Sequence, residues 1–299
     1  MSAAINAAFK ARIAAGGAIL MPGAANALSA RIIADTGFEA VYLTGAGVNN
    51  MFLGMPDLGF AGLSEMANHA GAIRDATDLP LVVDADTGFG NALNVGHTVR
   101  VLERAGASAI QIEDQAMPKR CGHFEGKALV SAGEMVGKIK AAVDGRQDSN
   151  LQILARTDAR GVEGLERALE RAHAYAEAGA DMLFVEAPVS EAEILSLPKA
   201  LPLPQLVNVV IGGKTPALPF DRLDEAGFAL VLYANAALQG AILGMQNALA
   251  RLKADGRFDE DAPVASFADR QRLVRKDVYD ALDKRYGRAA RSEGGAAEG

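Results

Sequence analysis

Cysteine is almost absent from this sequence: a single one among 299 residues excludes an internal disulfide framework. Basic residues are outnumbered, giving a net charge of −7 and a pI near 5.2, so we expect no surface for nucleic acid or anionic membranes. No apolar run reaches the ~18 residues that a membrane span requires. Lys10 and Arg12 interrupt the apolar N-terminal segment, so no signal peptide is predicted and we expect a cytoplasmic protein.

Short apolar segments alternate with alanine-rich segments along the whole chain. The apolar segments are nearly continuous and rich in Val, Ile and Leu, as parallel strands covered on both faces are. Between them, segments such as residues 165–178 repeat apolar residues at helical spacing. The predicted strands are Ala18–Met21, Ala40–Leu43, Leu81–Val83, Ala109–Ile112, Gln152–Ala155, Met182–Val185, Leu206–Val210 and Ala229–Tyr233.

Eight strands alternating with helices predict an α/β fold, a (β/α)8 TIM barrel. A doubly wound open sheet is the alternative, but no Gly-x-Gly-x-x-Gly fingerprint follows the first strand. Gly106, Gly179 and Gly227 each stand just before a predicted strand, where glycine commonly ends the preceding helix. The barrel is therefore the favoured architecture.

Polar residues follow the predicted strands, at the end where barrel enzymes place their chemistry. Charges directly after apolar strands are costly unless they are paired or coordinated. Their convergence on one face therefore predicts an active site. The residues concerned include Thr44, Asp84, Asp86, Glu113, Arg156, Asp158, Glu186, Asn208 and Asn235.

Three acidic residues at neighbouring strand ends are candidate metal ligands. Asp84 and Asp86 lie two positions apart, so on a strand both side chains point the same way. Together with Glu113 they form a cluster suited to Mg2+, which takes few direct carboxylates and keeps several waters. The alternative is that these carboxylates cap helices or pair with Arg156.

The only cysteine, Cys121, lies in a cationic loop between Met117 and Val130. Nearby positive charge stabilises a thiolate and lowers the thiol pKa, so Cys121 is a candidate for protonating a carbanion. A buried, inert cysteine is the alternative, but its neighbours Lys119, Gly122 and His123 are not typical of a core. The polar, glycine-containing loop is typical of a mobile lid.

Other predicted site residues bind anions. Arg156 is suited to a two-pronged contact with a substrate carboxylate, and Asn208 to a further contact. The backbone N–H groups of Gly45, Ala46 and Gly47 are candidates for holding a second anion. For Arg156 and the glycines, a purely structural role is an equal alternative.

The sequence resembles the isocitrate lyase/phosphoenolpyruvate mutase superfamily from about Gly17 to Tyr286. Three motifs carry the resemblance: residues 84–90 (DADTGFG), residues 112–115 (IEDQ) and residues 118–123 (PKRCGH). Their order is highly specific. The short lyase branch is the most similar, comprising 2-methylisocitrate lyase, 2,3-dimethylmalate lyase and carboxyphosphonoenolpyruvate phosphonomutase.

The resemblance implies a Mg2+-dependent barrel, with Mn2+ as a possible substitute, whose C-terminal helix is exchanged between subunits. A single barrel domain would then span residues 1–287, with the exchanged helix at about 265–287 and a disordered tail at 288–299. The expected assembly is a homotetramer, a dimer of helix-swapped dimers. Ser266–Tyr286 is compatible with that helix, because Phe267, Val274, Val278 and Leu282 form one apolar face.

The resemblance also implies roles for individual residues. Asp84 would contact the metal, and Asp57, Asp86 and Glu113 would act largely through bound water. Cys121 would be the acid/base, with Lys119 and His123 beside it in a catalytic loop, and Tyr42 is a candidate base. The substrate would be surrounded by Thr44, Gly45, Ala46, Asp57, Gly122, Arg156, Glu186 and Asn208.

The implied reaction is retro-aldol cleavage of a 2-hydroxy diacid or triacid to an α-keto acid, such as pyruvate, and a second carboxylate. Phosphonomutase and oxaloacetate hydrolase chemistry are alternatives, and so is a barrel that only binds or assembles. Two departures from the related patterns, Ile211 in place of glutamate and Ala234 in place of proline, are expected to contact the distal part of the substrate. They disfavour methylisocitrate, weaken the case even for an alkylmalate, and favour a more apolar or differently charged substrate.

Overall fold

A computed structural model of the chain describes residues 2–120, 122, 124, 126–259 and 261–294, with side chains through residue 287. The chain divides into two compact units, residues 1–240 and 241–299. Across the described ranges, none of the helices combines the length and the apolar character needed to cross a bilayer.

The first unit is a closed barrel in which each strand pairs in parallel with the next and β8 pairs with β1. All eight predicted apolar segments form strands, which confirms the (β/α)8 barrel. Within the described residues the strands are β1 (Ile19–Ala24), β2 (Val41–Leu43), β3 (Leu81–Asp84), β4 (Ala109–Glu113), β5 (Gln152–Thr157), β6 (Met182–Val185), β7 (Gln205–Asn208) and β8 (Leu230–Tyr233).

Several strands continue beyond the apolar segments that predict them. The hydrogen-bonded ladder pairs Asp84 with Gln111 and Glu113 with Arg156. Polar residues at the carboxyl ends of β3, β4 and β5 are therefore held by the sheet and not by loops. This fixes their backbone positions around one rim of the barrel.

Helices follow the strands around the barrel. α7 buries Ala168, Ala172 and Tyr175, in agreement with the apolar face predicted for residues 165–178. Gly227 ends α9 at a φ of 100°, as predicted for a left-handed cap. The helices that begin in this unit are α1 (Ser2–Ala14), α2 (Ala27–Asp35), α3 (Gly45–Val48), α4 (Leu63–Ala76), α5 (Ala92–Arg104), α6 (Ala132–Gly145), α7 (Leu165–Glu177), α8 (Glu191–Ala200), α9 (Phe220–Ala226) and α10 (Ala236–Asp255).

Two apolar layers stabilise the barrel. The larger lies between the strands and the surrounding helices and includes Val41, Val83 and Ile153. The smaller fills the barrel interior and includes Met21 and Leu154. Burial of these side chains, at roughly 25 cal/mol per Å² of apolar surface, is the main favourable term for the fold.

The second unit contains α11 (Phe267–Leu273) and α12 (Lys276–Gly294). The prediction of one helix over Ser266–Tyr286 is wrong, because the chain breaks between them and Arg275 takes a left-handed φ of 57°. No glycine, asparagine or proline marks this break, and the apolar spacing runs through it. Exchange of this segment between subunits stays a prediction.

Candidate active site

A small cavity of about 50 Å³ opens at the carboxyl ends of the strands. Its lining combines charged groups with an apolar wall. Ten of the predicted site residues contribute to it: Tyr42, Thr44, Ala46, Asp57, Glu113, Lys119, Gly122, Arg156, Glu186 and Asn208. Two further predicted residues, Cys121 and His123, lie outside the described residues.

The carboxylates of Asp84 and Asp86 lie close to each other, although not for the reason that the spacing suggested. β3 ends at Asp84, and Asp86 lies in a turn with a left-handed φ of 47°, so the strand argument for this pair is wrong. A Cβ built on Gly45 would lie 3.1 Å from Asp84 Oδ2 and 3.5 Å from Asp86 Oδ1, which shows that both carboxylates border one point. The turn therefore produces the convergence that an extended strand was expected to give.

Neighbouring donors fix the carboxylate of Asp84. Its Oδ1 accepts hydrogen bonds from the Asp86 backbone N–H and from Gln111 Nε2, both at 3.2 Å. Its Oδ2 accepts one from the Gly45 backbone N–H at 3.3 Å. Since Gly45 begins α3, the predicted alternative of a carboxylate at a helix N-terminus holds as well.

Lys119 inserts its ammonium group among the carboxylates. Its Nζ lies 2.5 Å from Asp57 Oδ1 and 2.6 Å from Asp86 Oδ1, and its side chain is 3% exposed. Burial lowers the pKa of Lys119, but Asp86, Glu113 and Asp57 outweigh it and hold that pKa above its ordinary value. Burial also raises the pKa of Asp86, to about 7, despite the favourable Lys119 charge.

Arg156 is the second cationic group that lines the cavity. Its guanidinium binds Asp158 in a two-pronged contact, from Nε at 2.9 Å and Nη2 at 3.1 Å. Glu113 and Glu186 also contact it, at 3.3 and 3.2 Å. The guanidinium lies 5.3 Å from the centre of the Phe184 ring. Pairing between Glu113 and Arg156, the predicted alternative to a metal role, is therefore present alongside the acidic cluster.

Tyr42 lies at the base of the cavity. Burial, supported by the negative charge of Asp84, raises its pKa well above the ordinary value. The phenol is therefore neutral near pH 7 and suited to donating a hydrogen bond. At the predicted anion site nearby, the N–H groups of Gly45 and Gly47 already donate to Asp84 and to Thr44.

The remaining wall of the cavity is largely apolar and ends in two amides. Phe184, Val210, Leu232 and Ala234 line it beside Asn208 and Asn235. The Oδ1 atoms of both asparagines are buried and have no hydrogen-bond partner among the described residues. Of the two sequence departures, Ala234 lines the cavity as expected, whereas Ile211 is 60% exposed and does not.

Comparison with known proteins identifies the family. A sequence profile described as phosphoenolpyruvate phosphomutase matches residues 9–253. The chain belongs to this family. The predicted resemblance, and with it the prediction of a lyase-type enzyme of the isocitrate lyase/phosphoenolpyruvate mutase superfamily, is confirmed.

Relatives of this phosphoenolpyruvate phosphomutase family member include two lyases. The chain is 46% identical over 255 residues to 2,3-dimethylmalate lyase of Eubacterium barkeri, covering 84% of this chain and 88% of that one. It is 47% identical over 238 residues to 2-methylisocitrate lyase of Aeropyrum pernix, covering 80% and 76%. A crystal structure of 2,3-dimethylmalate lyase superposes with a TM-score of 0.89, at 33% identity and 96% coverage of both chains.

The donor set of this family member suits Mg2+, the ion predicted from the sequence. Within the described residues, no three His, Cys, Asp or Glu side chains are arranged to hold one ion directly. Glu113 Oε1 is nevertheless buried without a hydrogen-bond partner in the described part of the chain. Carboxylate oxygens with such spare capacity fit Mg2+, which is held through few protein ligands and several waters.

Two residues that the sequence did not single out for a role are central to the geometry. Asp158 is fully buried and joins Arg156 to Lys127, whose Nζ lies 2.8 Å from Asp158 Oδ1. The sequence predicts Asp158 among the polar residues that follow the strands, but assigns it no role of its own. Lys127 could not be recognised from the sequence, because it lies in a loop and its partner, Asp158, is 31 positions away.

Proposed function

We propose that the protein is a Mg2+-dependent carbon–carbon lyase. It would cleave a 2-hydroxy di- or tricarboxylate of the alkylmalate type to an α-keto acid, such as pyruvate, and a second carboxylate. The observation that carries the proposal is a cavity lined by Glu113, Lys119 and Arg156, with the Asp86 carboxylate paired to Lys119 and the Asp84 carboxylate close to Asp86. Such an arrangement can hold both the carboxylates of a substrate and the charge that develops during cleavage.

The reaction that this site supports is a retro-aldol cleavage. The hydroxyl on C2 loses its proton, the C2–C3 bond breaks, and C2 becomes the carbonyl of an α-keto acid. The electron pair of the broken bond stays on C3, beside the second carboxylate. Protonation at C3 completes the reaction, so that atoms and charge balance without a further reactant.

The charged and polar residues at the site divide between holding the metal ion and binding the substrate. Bound Mg2+ would supply a Lewis acid that polarises the substrate oxygens and offsets the developing negative charge. Asp84, fixed by three donors, would hold the ion, with Asp57, Asp86 and Glu113 around its waters. Asn208 and Asn235 would use their amide groups to orient the substrate, and Arg156 would add positive charge where a carboxylate binds.

Proton transfer is assigned to the 117–130 loop. We propose that Cys121 protonates C3, with Lys119 and His123 beside it in the sequence. Lys119 carries its charge into the cavity, where it would counter the carboxylates during the reaction. The raised pKa of Tyr42 favours a role as a hydrogen-bond donor to the substrate oxygen over a role as the base.

The apolar wall favours an alkylmalate over a third carboxylate. Phe184, Val210, Leu232 and Ala234 offer no partner for a further negative charge. An alkyl substituent would gain about 0.8 kcal/mol for each buried CH2 group. Because Ile211 is exposed away from the cavity, the preference rests on this wall and not on the loss of the glutamate there.

The test is release of an α-keto acid, coupled to lactate dehydrogenase, from 2-alkylmalates, 2,3-dimethylmalate and 2-methylisocitrate, and release of oxalate from oxaloacetate. The keto acid is pyruvate wherever C2 of the substrate carries a methyl group. Each substrate is assayed with Mg2+, with Mn2+ and with EDTA, for the wild type and for Cys121→Ser. We expect metal-dependent pyruvate from an alkylmalate, lost in the variant. Oxalate from oxaloacetate, or a phosphonate product with silence across the panel, would assign the site to one of the alternative reactions.

We further propose the homotetramer of helix-swapped dimers. Support comes from an apolar groove of about 230 Å³ beside β1 and β8, which includes Leu20, Phe38 and Phe220. In the second unit, Phe267 and Tyr279 are 71% and 62% exposed. Light scattering after size-exclusion chromatography should give four chains, and truncation at residue 265 should reduce that number.

A further inference from the structure

Lys127 buries a charged group at the inner side of the 117–130 loop. Its side chain is 4% exposed, and Nζ donates to Asp158 Oδ1 at 2.8 Å and to the Gly122 carbonyl oxygen at 2.5 Å. A buried ammonium is costly unless its hydrogen bonds are met. Lys127 meets this requirement by joining a loop carbonyl to a carboxylate of the barrel.

Asp158 is a rigid attachment point for that ammonium. It also holds Arg156 through two hydrogen bonds, and its backbone N–H donates to Asp114 Oδ1 at 2.9 Å. Asp114 is itself fixed, because its Oδ2 accepts from Thr157 Oγ1 and from the Tyr175 hydroxyl, both at 2.7 Å. The contact of Lys127 thus reaches from the loop through Asp158 to the barrel and α7.

The backbone of Gly122 packs closely against the side chains of Arg156 and Glu186. A Cβ on this residue would lie 2.5 Å from Arg156 Nη2 and 2.5 Å from Glu186 Cγ, closer than real contacts allow. The backbone therefore approaches the two side chains as nearly as it can without a side chain of its own. A small shift of the Gly122 backbone would therefore displace the Arg156 side chain directly.

The ends of the loop are fixed independently of Lys127. The Ala116 N–H donates to the Ala128 carbonyl at 2.8 Å, and the Val130 N–H donates to the Asp114 carbonyl at 2.9 Å. These backbone bonds hold the base of the loop. The Lys127 ammonium is the contact that reaches from this base to Gly122, five positions earlier in the sequence.

We propose that Lys127 is a positioning residue: by joining the Gly122 carbonyl to Asp158, it sets the distance between the Gly122 backbone and Arg156. Lys127 does not touch the substrate in this account. It acts through Asp158 and Gly122, which both contact or border Arg156. The kinetic part of the proposal rests on the proposed lyase function, whereas the thiol measurement below does not.

The single cysteine gives a direct reporter next to Gly122. The second-order rate of Cys121 alkylation by iodoacetamide is measured from pH 6 to 10, so that the plateau reports access and the midpoint reports the thiol pKa. In Lys127→Met we expect the plateau to rise at least about tenfold, as for a locally opened segment. Lys127→Arg should stay near the wild type, as should Lys140→Met, which removes an exposed lysine on α6.

A plateau in Lys127→Met within about twofold of the wild type would overturn the proposal. Should Lys127→Met fail to fold, as judged by thermal melting, Lys127→Gln replaces it and carries the same expectation. Once a substrate is known, kcat in Lys127→Met should fall about 100-fold with KM nearly unchanged, because misplacement affects the reacting geometry. A change in KM alone would contradict a positioning role.

Discussion

The barrel interior has an upper half, at the carboxyl ends of the strands, and a lower half, at their amino ends. The same strands build both halves, but the side chains that they present differ in chemistry. In the lower half the inward side chains are apolar, whereas in the upper half charged and polar side chains lie beside a wall of apolar ones such as Phe184 and Leu232. On single strands the change takes two residues, from Val82 to Asp84, from Leu154 to Arg156 and from Leu206 to Asn208. Since two residues of a strand span roughly 6.6 Å, stability and chemistry are separated by very little distance.

The difference between the halves lies in what burial does to each side chain. In the lower half it provides hydrophobic stabilisation. In the upper half it raises the pKa of Glu113 well above its ordinary value and that of Asp86 to about 7. The carboxyl groups of the upper half are therefore costly to bury in their charged form without a bound metal ion. Substitutions in the two halves should separate loss of activity from loss of stability.

The largest effect is expected for Asp84, the carboxylate of the upper half that is proposed to hold the ion. Asp84→Asn keeps the shape but removes the charge, so activity should fall at least ~1,000-fold, about 4 kcal/mol, because electrostatic stabilisation dominates such sites. Turnover is measured by the coupled assay and Mg2+ binding by calorimetry. Activity within about tenfold of the wild type would show that Asp84 does not hold the ion.

The next effect belongs to the lower half. Leu154 is fully buried inside the barrel, so Leu154→Ala should lower the free energy of unfolding by about 2–5 kcal/mol while leaving KM unchanged. Urea unfolding measures the loss. Leu93→Ala, at a residue 85% exposed on α5, is the control and should change stability by less than about 0.5 kcal/mol.

A smaller effect is expected where the 117–130 loop meets the upper half. Gly122→Ala places a methyl group against Arg156 and Glu186, so kcat/KM should fall about 10- to 100-fold through misplacement of these groups. The melting temperature should change little, because the loop contributes little to the barrel core. Gly137→Ala on α6, where a Cβ meets nothing within 4 Å, is the matched control. Equal kinetics for the two variants would contradict the packing argument.

The smallest expected effect is a pH dependence of stability within the upper half, measured in EDTA. Because the pKa of Asp86 is raised above its unfolded value of about 3.9, its contribution to stability is present at low pH and lost as the pH rises toward 7. The melting temperature of the wild type should therefore fall more between pH 5 and pH 8 than that of Asp86→Asn. Equal slopes would refute the raised pKa.

The pKa of Asp158 is shifted in the opposite direction, so its contribution to stability depends on pH in the opposite way. Burial would raise its pKa, but Arg156 and Lys127 outweigh it and lower the pKa to about 2. Its contribution is present above the unfolded pKa of about 3.9 and is lost only as the pH falls toward 2. Asp158→Asn should therefore be less stable than the wild type by a constant amount between pH 5 and pH 8.

The same contrast explains what the sequence predicts well. Strands buried on both faces need continuous apolar segments, so all eight were recognisable, and a parallel barrel necessarily brings their carboxyl ends together. Asp84, Glu113 and Arg156 could therefore be predicted to lie at the same rim of the barrel. Exact strand ends were less predictable, because ladder pairing carries β3, β4 and β5 into polar residues.

Features that depend on turns and long-range contacts were not predictable. The left-handed backbone at Asp86 and at Arg275 involves residues that rarely adopt it, and local sequence gives no warning. Ile211 follows β7 but is exposed, because it begins a turn, whereas Val210 just before it still lines the cavity. The role of Lys127 was not predictable, because it depends on contact with the Asp158 carboxylate, which is distant in the sequence.

The most direct test of the central claim is cleavage of 2,3-dimethylmalate in D2O with Mg2+, followed by NMR. Breaking the C2–C3 bond gives pyruvate and propionate, and protonation of the carbanion by a fixed acid places one deuterium on C2 of propionate. The account predicts monodeuterated propionate of a single configuration, formed in step with pyruvate and absent with EDTA. Propionate with deuterium in both configurations, or no propionate while Mg2+ is bound, would contradict it.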